Sequence, residues 1–500
     1  MLLTRSALRL LSVSLLTASA AVASGTSDVG TFSVTLDADV FEEPFSGVLF
    51  VAFAKDAEPR SAMHGWFNAP PVLRFEVTDA KGSLELSAAS AAAQFPVDWT
   101  EVAAGEEWSV QAVARRSRTG REAGLSPGDV YSDVARIVYD AGADGSVELR
   151  LDRVVEPEVF EGTDRIELFE FVSPALSKFH GFEYTMRAGV RLPRSFGERE
   201  RHPVLYSVTG FGGTSSSILS WDRRIDGENV LDDCIVVVPD ASNLYGHSVF
   251  CDSPSIGPWG EALVRELIPA LEAKYGGAGP EHRYVTGGSS GGWSSLWLQV
   301  TYPKDFAGCW SHVPDPIDFH DFQQVNLYEP LPDGTPRNMY VDESGERRPL
   351  ARRDGEVMLY YEDFVRRENV LNPGGQIRSF EATFSPPGED GAPRRVFDVE
   401  TGVIDHEAAR AWRPYDISHT LLTRWDALEP HLDGKVRVYA GEVDSFYLEG
   451  AVERFEGLAR EAGLLEHMHV EVVPGLPHTL HQPGYEEMLR TIAQRWSGGN

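Results

Sequence analysis

The sequence predicts an α/β fold with a mostly parallel central sheet, preceded by a separate antiparallel β-sandwich. Two observations predict it. Residues 28–154 alternate apolar and polar with a period of two and carry no helical period. From 155 onward, short and almost wholly apolar runs alternate with amphipathic stretches. Strands covered on both faces by helices read as unbroken apolar runs, and strands alternating with helices imply a parallel sheet.

The first segment, MLLTRSALRLLSVSLLTASAAVASG, has the build of a secretory signal peptide over residues 1–23. Arg5 and Arg9 are its basic start, Leu10 to Ala20 its apolar centre and Ala21-Val22-Ala23 its small-residue cleavage site. The apolar centre is too short to span a bilayer. A cleaved chain starting near Ser24, secreted or periplasmic, is therefore expected. The formal net charge is −31, a surface that repels nucleic acid and anionic lipid and excludes both as partners. Three cysteines are too few for a disulfide framework. Cys234, inside CIVVV, reads as a buried thiol, while Cys251 and Cys309 are left open as a pair.

In residues 28–154 the runs TFSVTLDADVF, VLFVAFA, VLRFEVTD and SVELRLD are strands, with AKGS and GADG as turns. No catalytic group stands out there, so an accessory domain is expected. In residues 155–500, FEYTMRAGVRLP, PVLYSVTG, CIVVVPD, YVTGG, AGCWSHV, KVRVYAG and MHVEVVPG are the strands. WGEALVRELIPALEAKY, LEGAVERFEGLAREAG and YEEMLRTIAQRW are helices, the first with Pro269 as a kink. The polar, proline-rich stretch at about 314–412 breaks this rhythm and reads as an insertion capping the site.

Chemistry concentrates in YVTGGSSGGW, residues 284–293. A Gly-x-Ser-x-Gly turn between a strand and a helix lets a serine take strained dihedrals and present its hydroxyl above the sheet. Centred on Ser289, the small residues are Gly287, Gly291 and Gly292. Centred on Ser290, the position after Gly292 is Trp293, too large where the helix must press on the sheet. Ser289 is therefore the expected nucleophile, and the Ser290 N–H at the helix start an oxyanion donor. In this fold the acid and the histidine follow in that order. Asp444, after KVRVYAG, is the acid, with Glu442 as competitor. His478, after the last strand, is the base, with His481 as alternative. PVLYSVTGFGG supplies a glycine loop in which Phe211 and Gly212 are the other candidate oxyanion donors. The loop lacks a phosphate-binding lysine, which argues against a nucleotide site. His320 beside Asp318 and Asp321 reads as a solvated loop, so neither metal nor organic cofactor is expected. Phe319, His320, Tyr340, Tyr360 and Tyr361 are candidate pocket residues, and Trp293 and Trp297 read as core.

On PVLYSVTGFGG, WGEALVRELIPALEAKY, YVTGGSSGGWSSLWLQVTYPKDFAG and GEVDSFYLEG, the chain resembles the putative-esterase branch of the α/β-hydrolase superfamily. That branch includes esterase D, feruloyl and enterochelin esterases and the mycolyltransferases. The resemblance covers roughly 180–313 and 413–496. It implies Ser289, Asp444 and His478 as a triad and Phe211 and Ser290 as backbone donors. Thr209 stands where these enzymes often carry histidine, and Gly288 where a larger side chain is usual. The implied function is hydrolysis of a carboxylic ester, small or polysaccharide-linked, through an acyl-enzyme. The competing readings are a prolyl-peptidase-type serine peptidase and a non-catalytic carbohydrate-binding protein on a hydrolase scaffold.

Overall fold

The computed structural model describes residues 28–99, 103–223 and 230–497. The expected signal segment at 1–23 lies outside the described residues.

Residues 28–154 form two sheets. The larger runs in the order Asp28–Val29, Ala135–Tyr139, Glu107–Arg115, Phe45–Ala54, Val72–Ala80 and Ala93–Phe95. The smaller joins Ser146–Leu151, Thr31–Leu36 and Ser83–Ser87. Period-two patterning places Phe32, Val34 and Leu36 on one face of the smaller sheet. There they share a core with Leu49, Val51, Phe53 and Trp108 of the larger one. Pairing is antiparallel with two exceptions, which correct the all-antiparallel expectation. Asp28–Val29 runs parallel to Val138–Tyr139, and Thr31–Leu36 parallel to Ser146–Leu151. These partners lie more than a hundred residues apart in the chain, so no hairpin forces them to oppose.

The rest of the chain is built on one eight-stranded sheet: β1 (Ile166–Val172), β2 (Thr185–Arg191), β3 (Val204–Val208), β4 (Ile235–Pro239), β5 (Arg283–Ser289), β6 (Gly308–Pro314), β7 (Val436–Gly441) and β8 (His469–Val473). Their spatial order is β1-β2-β4-β3-β5-β6-β7-β8. β1 and β2 are antiparallel and every pair from β4 to β8 is parallel. Every residue of β4 and of β6 is buried as expected, whereas β8, at the edge of the sheet, is mostly part-exposed. The helix expected at WGEALVRELIPALEAKY opens into a π-helical turn over Ala262–Leu267 before Ile268–Tyr275. Pro269 has no N–H to donate and its ring crowds the preceding turn, so the ladder widens there.

The stretch between β6 and helix Ile417–Leu432 is more ordered than its composition suggested. It carries a hairpin, Pro349–Arg353 with Glu356–Tyr360, and helices Tyr361–Leu371 and Gln376–Phe384. Its aromatic residues belong to the same core as β3–β7. Val370 and Leu371 also pack on Phe50, Ala52, Val72 and Val113, the outer face of the larger N-terminal sheet. Cys234, Cys251 and Cys309 are all free and buried, which settles the open Cys251–Cys309 pair against a bridge. No helix among the described residues is long and apolar enough to cross a membrane.

Candidate active site

β5 ends at Ser289 and helix Ser290–Thr301 begins at the next residue. Between them Ser289 takes φ 59° and ψ −128°, a backbone conformation costly for a residue with a side chain. The glycines allow the turn to close. A Cβ on Gly291 would lie 2.1 Å from the Val208 carbonyl oxygen, and one on Gly287 would lie 2.3 Å from that of Gly291. A Cβ on Gly292 would lie 2.5 Å from the His312 carbonyl oxygen. Gly288 is different, since its Cβ would meet nothing nearer than 3.8 Å. Trp293 is buried against Trp297 and Phe384 and donates its indole N–H to Pro316. Both tryptophans are therefore core, as expected.

Asp444 follows β7 and is fully inaccessible, while Glu442 is exposed and accepts from the Gly475 N–H in a neighbouring turn. One Asp444 oxygen accepts from the Phe446 N–H at 2.8 Å, and the other lies 2.8 Å from Nδ1 of His478. His481 instead stacks on Tyr439. The structure thus brings Asp444 and His478 together and leaves Glu442 and His481 in other contacts. Behind Asp444, Arg352 donates to its carbonyl oxygen and pairs with Glu449. Burial pushes the Glu449 carboxyl up to about 7.

The Ser289 hydroxyl donates to Asp315 at 3.4 Å, and no hydrogen bond joins it to His478 among the described residues. Asp315, one residue past β6, also accepts from the Ser290 hydroxyl at 2.5 Å and from the Gln376 amide at 3.4 Å. Ser290 is therefore buried with its hydroxyl engaged, whereas Ser289 opens on the cavity. Burial pushes the Asp315 carboxyl up from 3.8 to about 6. Its Ser290 and Ser289 bonds and the charge of His478 act in the opposite direction. Asp315 escaped the sequence reading, although an acid at a strand's carboxyl end beside the nucleophile strand is a recognisable placement.

The glycine loop after β3 lies against the serine. A Cβ on Gly210 would sit 3.3 Å from that of Ser289. Gly212 has φ +92°, a left-handed conformation that favours glycine. The Phe211 and Gly212 N–H groups make no hydrogen bond within the described residues. Arg121, from the N-terminal unit, donates to the Gly212 carbonyl at 2.9 Å and covers the Phe211 ring.

A narrow cavity of about 30 Å³ opens at Ser289. Its other walls include Trp66, Asp315, Phe364, Gln376, Phe380 and Phe446. The insertion does line the site, but not through the aromatic residues expected. Phe319 and Tyr361 are fully buried core, Tyr340 is buried too, and neither His320 nor Tyr360 lines the cavity. Nor is Asp318 in a solvated loop. Asp318, His320 and Asp416 bring ligand-type atoms within 4.8 Å of one another. Protein donors already serve them: Ser418, Arg454 and His320 on Asp318, and Tyr328 and two backbone N–H groups on Asp416.

The family described as "Putative esterase" matches residues 180–481. Among solved structures, the chain is similar to a ferulic acid esterase at 16% identity, covering 66% of this chain and 98% of that one, with a TM-score of 0.40. It is similar to an S-formylglutathione hydrolase from Agrobacterium tumefaciens at 16% identity, covering 68% and 97%, with a TM-score of 0.37. A third, the ferulic acid esterase of Anaeromyces mucronatus bound to ferulic acid, gives 14% identity, 66% and 92%, and a TM-score of 0.33. No curated protein matches the chain.

Proposed function

The chain belongs to the "Putative esterase" family and is a carboxylic ester hydrolase, and from that premise we propose a Ser289–His478–Asp444 triad working through an acyl-enzyme. The observation that supports it best is the 2.8 Å contact between buried Asp444 and Nδ1 of His478, at the same carboxyl end of the sheet as the strained Ser289. In the proposed cycle His478 takes the Ser289 proton as the oxygen attacks the ester carbonyl. Asp444 fixes the imidazole tautomer and steadies the imidazolium. The Ser290 N–H, with Phe211 or Gly212, holds the oxyanion, and one such donor is typically worth ~10²–10³ in rate. His478 then protonates the leaving alcohol, and water, activated by the same imidazole, releases the acid. The Ser289 hydroxyl must turn from Asp315 to His478 for attack, a tightening common on substrate binding.

On this reading the N-terminal unit is an accessory β-sandwich, residues 314–412 form a cap, and the enzyme acts outside the cytoplasm after loss of residues 1–23. The test is labelling with a fluorophosphonate probe. Covalent capture by wild type that is lost in Ser289→Ala and kept in Ser290→Ala is expected. Capture that persists in Ser289→Ala, or none in wild type, overturns the assignment.

A further inference from the structure

The carboxylate at the cavity floor has no role in the triad. Asp315 is only 3% exposed, and its partners are two hydroxyls and one amide. No lysine or arginine among the described residues pairs with it. The charged groups that act on it are His478, which favours its ionised form, and Asp444, which opposes it. A buried anion without a cation is costly, and the usual remedies are proton uptake or a cationic ligand.

A second observation points the same way. Gln376 is 9% exposed and lines the same cavity. Its amide nitrogen donates to the Ser290 hydroxyl oxygen at 3.1 Å and to the Asp315 carboxylate at 3.4 Å, which fixes which end is oxygen, and that oxygen, Oε1, is buried with no hydrogen-bond partner among the described residues. The cavity thus holds a buried carboxylate without a cationic partner and an amide oxygen without a donor. Around them stand Trp66, Phe364, Phe380 and Phe446, whose ring faces favour a cation over a neutral group.

Resting on the esterase reading, we propose that this cavity selects acyl groups bearing a protonated amine beside the carbonyl, that is, esters of α-amino acids. The geometry sets the position of the amine. An acyl carbon bonded to Ser289 Oγ carries its α-nitrogen only two bonds further on, and a carboxylate oxygen of Asp315 lies 3.4 Å from that same Oγ. The ammonium takes over the acceptor now used by the Ser289 hydroxyl, leaving that hydroxyl free to turn to His478. Substrate binding and serine release become one event. A neutral acyl group fills the same apolar walls but leaves Asp315 holding the serine.

The test compares alanine and phenylalanine methyl esters with methyl propionate and methyl 3-phenylpropionate, which lack only the amine. Wild type is expected to favour the amino esters by about tenfold or more in kcat/KM, and Asp315→Asn to bring that ratio near one. The ratio is read within each variant, so a general loss of activity cancels. Should Asp315→Asn not fold, Gln376→Leu is expected to narrow the same ratio. Hydrolysis of neutral esters with equal or greater efficiency overturns the inference and leaves the esterase reading standing. A preference undiminished in the variants also overturns it. If no ester is cleaved, the esterase reading fails, and calorimetry on the intact protein still decides the site. Phenethylammonium should bind about tenfold tighter than 2-phenylethanol, and equal affinity overturns the proposal.

Discussion

Asp315 accepts the hydroxyl of Ser289 at 3.4 Å while its second oxygen holds Ser290 at 2.5 Å. One carboxylate thus grips both serines of the Gly-Gly-Ser-Ser-Gly-Gly turn, one residue beyond the strand that neighbours β5. The grip separates two roles. Ser290 is anchored inward at the start of its helix, and Ser289 is left as the hydroxyl that can move.

This arrangement has a cost that pH reveals. Burial raises the folded-state Asp315 carboxyl from 3.8 to about 6, so the folded chain binds that proton more tightly than the unfolded chain does. The contribution is fully present below pH about 4 and is lost as pH rises through about 6. The difference is about 3 kcal/mol, from about two pKa steps at ~1.4 kcal/mol each. Asp315→Asn is therefore expected to be more stable than wild type at pH 8, with the gap closing by pH 4. Urea unfolding of both proteins across that range measures it, and a pH-independent difference defeats the prediction.

The two histidines after β8 differ in what they touch. His478 meets buried Asp444, whereas His481 stacks on Tyr439. His478→Ala should lower kcat by on the order of 10⁴, as loss of a general base does, with folding intact. His481→Ala should stay within about threefold, because only one ring contact is lost. Steady-state kinetics on a nitrophenyl ester separates them, and the reverse ranking would transfer the role.

The glycines make a paired prediction. Gly288→Ala places its methyl 3.8 Å from the nearest atom and should fold normally, with activity within about threefold. Gly291→Ala drives a Cβ to 2.1 Å from the backbone oxygen of Val208, which neither β3 nor the helix can yield without separating. A loss of about 3 kcal/mol or more, or no soluble protein, is expected. Equal thermal midpoints for the two variants would contradict the packing account.

What the sequence revealed follows the range of its signals. Ser289, Asp444 and His478, the proposed triad, lie at or just after strands of the main sheet, so local patterns were enough to nominate them. Helix Gln376–Phe384 was missed although Ile377, Phe380 and Phe384 recur at helical spacing, because it is only nine residues long and stands in a polar, proline-rich stretch. All nine residues are buried, and Arg378 and Glu381 form an ion pair inside it. Gln376 and Trp66 were missed for a different reason. They reach the cavity from segments far from the strand ends, and only tertiary packing brings them there.

Trp66 carries the last prediction, because it joins the N-terminal unit to the site. Its ring lies 4.9 Å from that of Phe364, 5.8 Å from Phe446 and 6.0 Å from Phe211. Phe446 in turn stands edge-on to His478 at 4.9 Å. One half-buried side chain thus touches helix Tyr361–Leu371, the loop after β7 and the glycine loop after β3 together. Trp66→Ala removes three aromatic contacts worth about 1 kcal/mol each, so a stability loss of about 3 kcal/mol is expected. The cavity wall goes with it. kcat/KM should fall by about tenfold or more for an aromatic acyl ester and by much less for acetate, since a small acyl group does not reach the wall. Rates on nitrophenyl acetate and phenylacetate, measured on folded variant, give the ratio. An unchanged ratio would mean that the N-terminal unit touches the site without shaping what it accepts.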